Sequence, residues 1–166
     1  MQPTIEILDR IRKNSRDNKE EIFTRLYRYL LRPDLYYLAY KNLYANKGAG
    51  TKGVNDDTAD GFSKEKVDRI IQSLADGTYT PNPVRRDIKG CFDNINHQVL
   101  VNVINAKIKD ARLIQLIWKF LKAGYMEDWQ YHATYSGCPQ GGIVSPILAN
   151  IYLNELDKFV EKTAKE

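Results

Sequence analysis

The chain has 166 residues, of which 43% are hydrophobic and 28% charged, enough apolar material for one domain or two small lobes sharing a core. Its net charge of +4 is uneven: Lys plus Arg against Asp plus Glu is 16 to 12 as far as Arg86 and 9 to 9 from Asp87 onward, so an anionic partner is expected on the N-terminal half. Two cysteines exclude a disulfide framework, and with no secretory signal and no apolar run near the ~20 residues of a membrane span, the composition fits a cytoplasmic protein and no membrane partner.

Ile5, Leu8 and Ile11 recur at helical spacing and predict a helix over Thr4–Lys13, broken at Asn14-Ser15-Arg16. Ser15 or Asp17 is then placed to cap a second helix, whose apolar stripe is Ile22, Phe23, Leu26, Tyr29 and Leu30. Helical geometry would put Arg25, Arg28 and Arg32 on one face of it, an arrangement that suits a phosphate backbone; a solvated polar face is the plainer reading. Pro33 suits the first position of a third helix, where its missing N–H costs nothing. Tyr36, Tyr40 and Tyr44 recur along it, and packing is favoured over base stacking as their role.

Residues 46–61 form a Gly-rich charged loop. Its Gly48, Gly50 and Gly53 match a dinucleotide fingerprint in letters only, because that motif needs a strand before it and a helix opening directly after it. Ser63 can cap a helix carrying Val67, Ile70, Ile71 and Leu74, ending near Asp76-Gly77. Pro81 and Pro83 hold Tyr79 to Arg86 extended.

The phrase D-I-K-G-C-F-D-N-I-N-H follows, from Asp87 to His97. It sets an isolated carboxylate after the extended stretch, then a Gly turn and an aromatic; Asp93 reads as a helix-start carboxylate and His97 as a surface histidine. Asn96 and Asp110 can cap two successive helices, the second apolar nearly all round, and Gly124 ends it. Tyr125 to Tyr135 alternates as a strand pair. The second phrase, S-G-C-P-Q-G-G-I-V-S-P-I-L-A-N-I-Y-L from Ser136 to Leu153, is a Gly-rich loop feeding a helix that Ser145 caps and Pro146 opens. Cys91, His97, His132 and Cys138 lack the tight ligand pairs of a structural zinc site. The fold expected from these elements is α+β and mostly helical, with a small antiparallel sheet carrying Asp87 and the Gln130–Tyr135 strand; dimerisation could compensate for so small a sheet.

Both phrases resemble reverse transcriptases of the group II intron-encoded (maturase) type, in their palm motif A and their Pro-Gln-Gly block. The resemblance reaches back through Tyr79-Thr80-Pro81-Asn82-Pro83-Val84-Arg85-Arg86 to the N-terminal helices. It implies a right-hand polymerase fingers and palm portion, with residues 1–86 as the helical and fingers part and 87–166 as the palm. It implies a bacterial source, and two Mg²⁺ ions bound through the Asp87 carboxylate and the Ile88 carbonyl. Phe92 would exclude a 2′-hydroxyl by bulk, and Gln140 and Gly141 would lie beside the nascent base pair. Partners implied are an RNA template with a DNA primer, dNTP and the intron RNA, for which Arg25, Arg28, Arg32, Lys47 and Lys52 are candidate contacts. The alternative reading is an intron-RNA-binding maturase module that assists splicing without polymerisation; a helical interaction domain with no nucleic-acid role is the plainest.

The sequence departs from the family pattern in two places. Arg86 is joined directly to Asp87 where relatives carry several tens of residues, including basic side chains that hold the nucleotide's triphosphate. The Tyr-x-Asp-Asp block, the thumb and the maturase region do not follow the last helix, and a lone carboxylate cannot hold two Mg²⁺ ions, so a polypeptide of these residues alone is expected not to polymerise DNA.

Overall fold

The computed structural model describes residues 2–44, 61–85, 95–127, 130–137 and 144–163. The chain divides into two compact units, Met1–Tyr79 and Thr80–Glu166. The expected boundary between Arg86 and Asp87 lies outside the described residues.

The first unit is helical: α1 (Thr4–Asp17), a 3-10 helix (Tyr27–Leu31), α2 (Pro33–Tyr44) and α3 (Lys64–Asp76). α1 runs a turn beyond the expected stop, because Asn14 and Ser15 are only mildly unfavourable inside a helix. It ends at Asn18, whose amide returns to the Asn14 carbonyl and whose side chain accepts from the Glu20 amide. The local turn at Asn18 replaces the predicted second helix: no α-helix forms between Asn18 and Pro33, and Arg25 therefore does not share an α-helical face with Arg28 and Arg32.

The N-termini of α1 and α2 are tied by one polar knot. The Thr4 amide, one of the donors a helix start leaves unsatisfied, donates to Asp34 Oδ2 at 2.9 Å. Arg32 donates through Nε to Thr4 Oγ1 at 2.7 Å, and through Nη2 to the Gln2 carbonyl at 2.6 Å and to Asp34 Oδ2 at 2.9 Å. Below it, Ile7, Tyr27, Val67 and Leu74 are buried. The tyrosines of α2 divide as packing residues do. Tyr36 donates to the Leu30 carbonyl at 2.7 Å, and burial, with Tyr79 and Tyr27 nearby, pushes its hydroxyl up to about 12. Tyr40 stacks on Phe62 at 4.3 Å between ring centres. Ser63 caps α3 by accepting from the Lys66 amide, as its sequence predicts.

The second unit is β1 (Val84–Arg85), α4 (His97–Lys107), α5 (Ala111–Leu121), β2 (Tyr125–Glu127), β3 (Gln130–His132) and α6 (Ser145–Thr163). Asn96 and Asp110 accept from the amides of Val99 and Leu113, so both predicted N-caps form. Leu100, Val101 and Ile104 of α4, Leu121 of α5, and Leu148 and Ala149 of α6 make the core with Ile95. Leu100 and Leu121 are fully enclosed, each contributing about 2–3 kcal/mol by the apolar area it removes from water.

β2 and β3 form the expected antiparallel pair, Tyr125 facing His132 and Glu127 facing Gln130. β1 adds to β2 in parallel, Val84 beside Tyr125, so the sheet order is β1-β2-β3 and the sheet is mixed. The parallel addition has a simple cause: a parallel neighbour needs a crossover, and α4 with α5 provides it. The expected place of Asp87 on this sheet lies outside the described residues, just beyond β1.

Candidate functional site

Asp87, Ile88 and Phe92, with Gln140 and Gly141, lie outside the described residues, as do Lys47 and Lys52. The structure does describe the backbone that leaves the first phrase and the backbone that enters the second. The Gly137 amide donates to the Ile95 carbonyl at 2.7 Å. The Gly137 carbonyl in turn meets Nε2 of His97 at 2.5 Å. A carbonyl only accepts, so Nε2 is the protonated ring nitrogen.

Gly137 can turn both of its peptide groups toward residues 95–97 because its φ is +83°, a region side chains rarely allow. The imidazole is 6% exposed and stands edge-on to Trp118 of α5, ring centres 6.1 Å apart. His97 is thus no surface histidine. It is the first residue of α4, and the Asn96 cap aims it inward. Sequence reasoning missed it because a histidine following a capping asparagine carries no periodicity that marks it as buried.

Beside this junction an open cavity of about 500 Å³ is lined by Trp118, Lys122, Thr134 and Tyr135, among others. Lys122 places its ammonium 5.0 Å from the Trp118 ring centre. Tyr135 is 90% exposed. Among the described residues no group of three or more His, Cys, Asp or Glu is placed to hold a metal ion. His132 stacks on Tyr125 at 5.1 Å.

In the first unit the three candidate arginines separate. Arg25 and Arg28 are exposed, whereas the Arg32 side chain is only 13% exposed and is committed to the knot with Asp34, Thr4 and Gln2. Arg28 donates to the Tyr29 hydroxyl at 2.7 Å, and this bond, with Arg10 adding to it, holds the Tyr29 hydroxyl below its usual range. Arg10 was not among the candidates; it comes from α1, and no local spacing relates it to Arg28.

Residues 56–165 match the family model described as reverse transcriptase (RNA-dependent DNA polymerase). The chain belongs to the reverse transcriptase family. It is 50% identical to "Group II intron-encoded protein LtrA" of Lactococcus lactis subsp. cremoris, over 96% of this chain and 39% of that protein. It is 32% identical to "Uncharacterized 91 kDa protein in cob intron" of Schizosaccharomyces pombe, over 96% of this chain and 29% of that one. "Protein YkfC" of Escherichia coli is 38% identical over 48% of this chain and 21% of its own length. The chain therefore spans about two fifths or less of the curated relatives it matches.

The alignment with LtrA runs over 233 positions, whereas this reverse transcriptase chain has 166 residues, so at least 67 positions have no residue here. Reverse transcriptases work on nucleic acid with divalent metal ions. Among the described residues no helix is long and apolar enough to cross a membrane.

Proposed function

We propose that this chain is the fingers and palm portion of a group II intron reverse transcriptase, fingers to Arg86 and palm from Asp87, acting on an RNA template, a DNA primer and dNTP. The observation that carries the reading is the family match over residues 56–165, which takes in both phrases. The Asp87 carboxylate and the Ile88 carbonyl would supply part of the Mg²⁺ ligand set, both being hard oxygen ligands. The chemistry that bound divalent ions supply is charge neutralisation and alignment at the transferred phosphate. Phe92 sets the sugar selection by bulk, and Gln140 and Gly141 pack beside the nascent base pair. Primer extension with Mg²⁺ by the protein that carries this chain tests the reading. Asp87→Ala should abolish extension and leave RNA affinity nearly unchanged; extension that survives the substitution overturns it.

A second reading, intron-RNA binding by the first unit, is favoured by the exposed pairing of Arg28 with Tyr29 beside Arg10. Replacing Arg10, Arg25 and Arg28 with alanine should lower RNA affinity and flatten its salt dependence, each lost phosphate contact removing about one unit from the slope. Arg32→Ala should act mainly on stability.

A further inference from the structure

We propose that the open cavity beside the start of α4 is a binding site for one unpaired nucleotide of a single-stranded nucleic acid, its base stacked on Tyr135 and its phosphate held between Lys122 and the first turn of α4. Asn96 and Gln98 at that turn, Trp118 of α5 with Lys122 at its end, and Thr134 and Tyr135 after β3 all line this cavity. Every one of them belongs to the second unit. None is among the residues named above for nucleotidyl transfer, so the site does not depend on that reading.

Three side chains give the cavity its chemistry. Tyr135 is 90% exposed, an aromatic ring kept in water on a cavity wall, and any base can stack on the face of such a ring. Lys122 sets its ammonium 5.0 Å from the Trp118 ring centre, which steadies a cation there with no carboxylate partner among the described residues. The Thr134 hydroxyl oxygen is buried and has no hydrogen-bond partner among the described residues. An unmet polar atom beside a cavity costs stability until something that enters the cavity satisfies it.

The helix start adds charge of the same sign. The Asn96 side chain accepts from the Val99 amide and its carbonyl from the Leu100 amide, so the amides of His97 and Gln98 are the donors left over at the positive end of α4. Residues 95–126 carry Lys107, Lys109, Arg112, Lys119 and Lys122 against one carboxylate, Asp110, which is buried as the cap of α5. The even charge of the second half as a whole conceals this basic stretch. A cation beside a helix start suits a phosphate, and a bare ring next to them suits a base. A phosphate alone would leave Tyr135 without a purpose. The cavity is open, and its volume of about 500 Å³ is within the range of small-ligand sites.

The test is a titration of the 166-residue chain with tetra-adenylate, read as NMR shifts of the Gln98, Lys122, Thr134 and Tyr135 amides. These should move together and saturate. They should still do so when Arg10, Arg25 and Arg28 are replaced by alanine, which removes the candidate contacts of the first unit. Tyr135→Ala should weaken tetra-adenylate about tenfold, and Tyr135→Phe should not. Lys122→Ala should lower the salt slope by about 0.7, the share of one phosphate on a single strand. Both side chains are exposed, so neither change should disturb folding. Thr134→Val should stabilise the free chain yet weaken tetra-adenylate about fivefold, because it removes an unmet hydroxyl and the contact that meets it.

Adenosine monophosphate should shift the same amides more weakly, and inorganic phosphate should bind with an affinity that Tyr135→Ala leaves unchanged. No shift at the four amides, or their loss in the triple arginine variant, overturns the site. Adenosine monophosphate binding as tightly as tetra-adenylate overturns the strand, and phosphate binding as tightly as adenosine monophosphate overturns the base. Tetraglutamate matching tetra-adenylate overturns the nucleotide in favour of an acidic peptide. A Thr134→Val chain that binds like the parent overturns the part given to the hydroxyl. Primer extension enters none of these readouts: if Asp87→Ala still extends primers, the reverse transcriptase reading fails and this site is decided by its own titration.

Discussion

Tyr27 donates its hydroxyl hydrogen to the carbonyl oxygen of Leu74 at 2.8 Å, joining the 3-10 helix to the last turn of α3 across 47 residues of sequence. The Leu74 carbonyl also receives the Gly77 amide, so deleting the tyrosine hydroxyl does not orphan it. Tyr27→Phe should therefore cost about 1 kcal/mol, whereas Tyr27→Ala, which empties a buried site, should cost about 3–5 kcal/mol. Urea unfolding followed by circular dichroism separates the two.

The knot at Asp34 makes the first unit acid-sensitive. The hydrogen bond from Arg32, then that from Thr4, holds the Asp34 carboxyl well below the usual carboxylate range. Because its folded pKa is depressed, its contribution is present above the unfolded value of about 4 and is lost as pH falls below that. The carboxylate is 46% exposed, so solvent screening limits the effect to about 0.2–1 kcal/mol. Unfolding midpoints between pH 6 and pH 3 should fall less in Asp34→Asn than in the parent, which checks the sign.

Gly124 has φ +78°, and a Cβ there would lie 2.6 Å from the His132 carbonyl oxygen and against the Tyr131 ring. A ring can swing away, but a backbone oxygen held in a strand pair cannot. Gly124→Ala should cost about 3 kcal/mol, from the left-handed backbone and the overpacking together. The β2–β3 hairpin should be the part that loosens, visible as faster exchange of the Tyr125 and His132 amides.

What the sequence made legible follows physical range. Ser63, Asn96 and Asp110 cap their helices as predicted, because a cap is decided within three residues. Pro33 opens α2 for a reason just as local. The second helix expected, with its stripe from Ile22 to Leu30, does not form, since its apolar periodicity is equally satisfied by a 3-10 turn whose Tyr27 finds Leu74 far along the chain. Arg32 looked like a phosphate ligand by spacing, and only the meeting of two helix N-termini gives it Asp34, Thr4 and Gln2 instead. His97 is the same lesson at the candidate site: its partner, Gly137, lies 40 residues away, and no pattern within α4 announces it.

The parallel seating of β1 against β2 places a restriction on the order of assembly. The hairpin of β2 and β3 closes through neighbours, but Val84 and Arg85 leave the ribosome two whole helices before Tyr125 and Met126 exist to receive them. Long-range pairing of this kind is slow because the intervening chain must first be gathered in. The strand Val84–Arg85 can therefore be fastened only once α4 and α5 have been made and Tyr125 and Met126 have followed them.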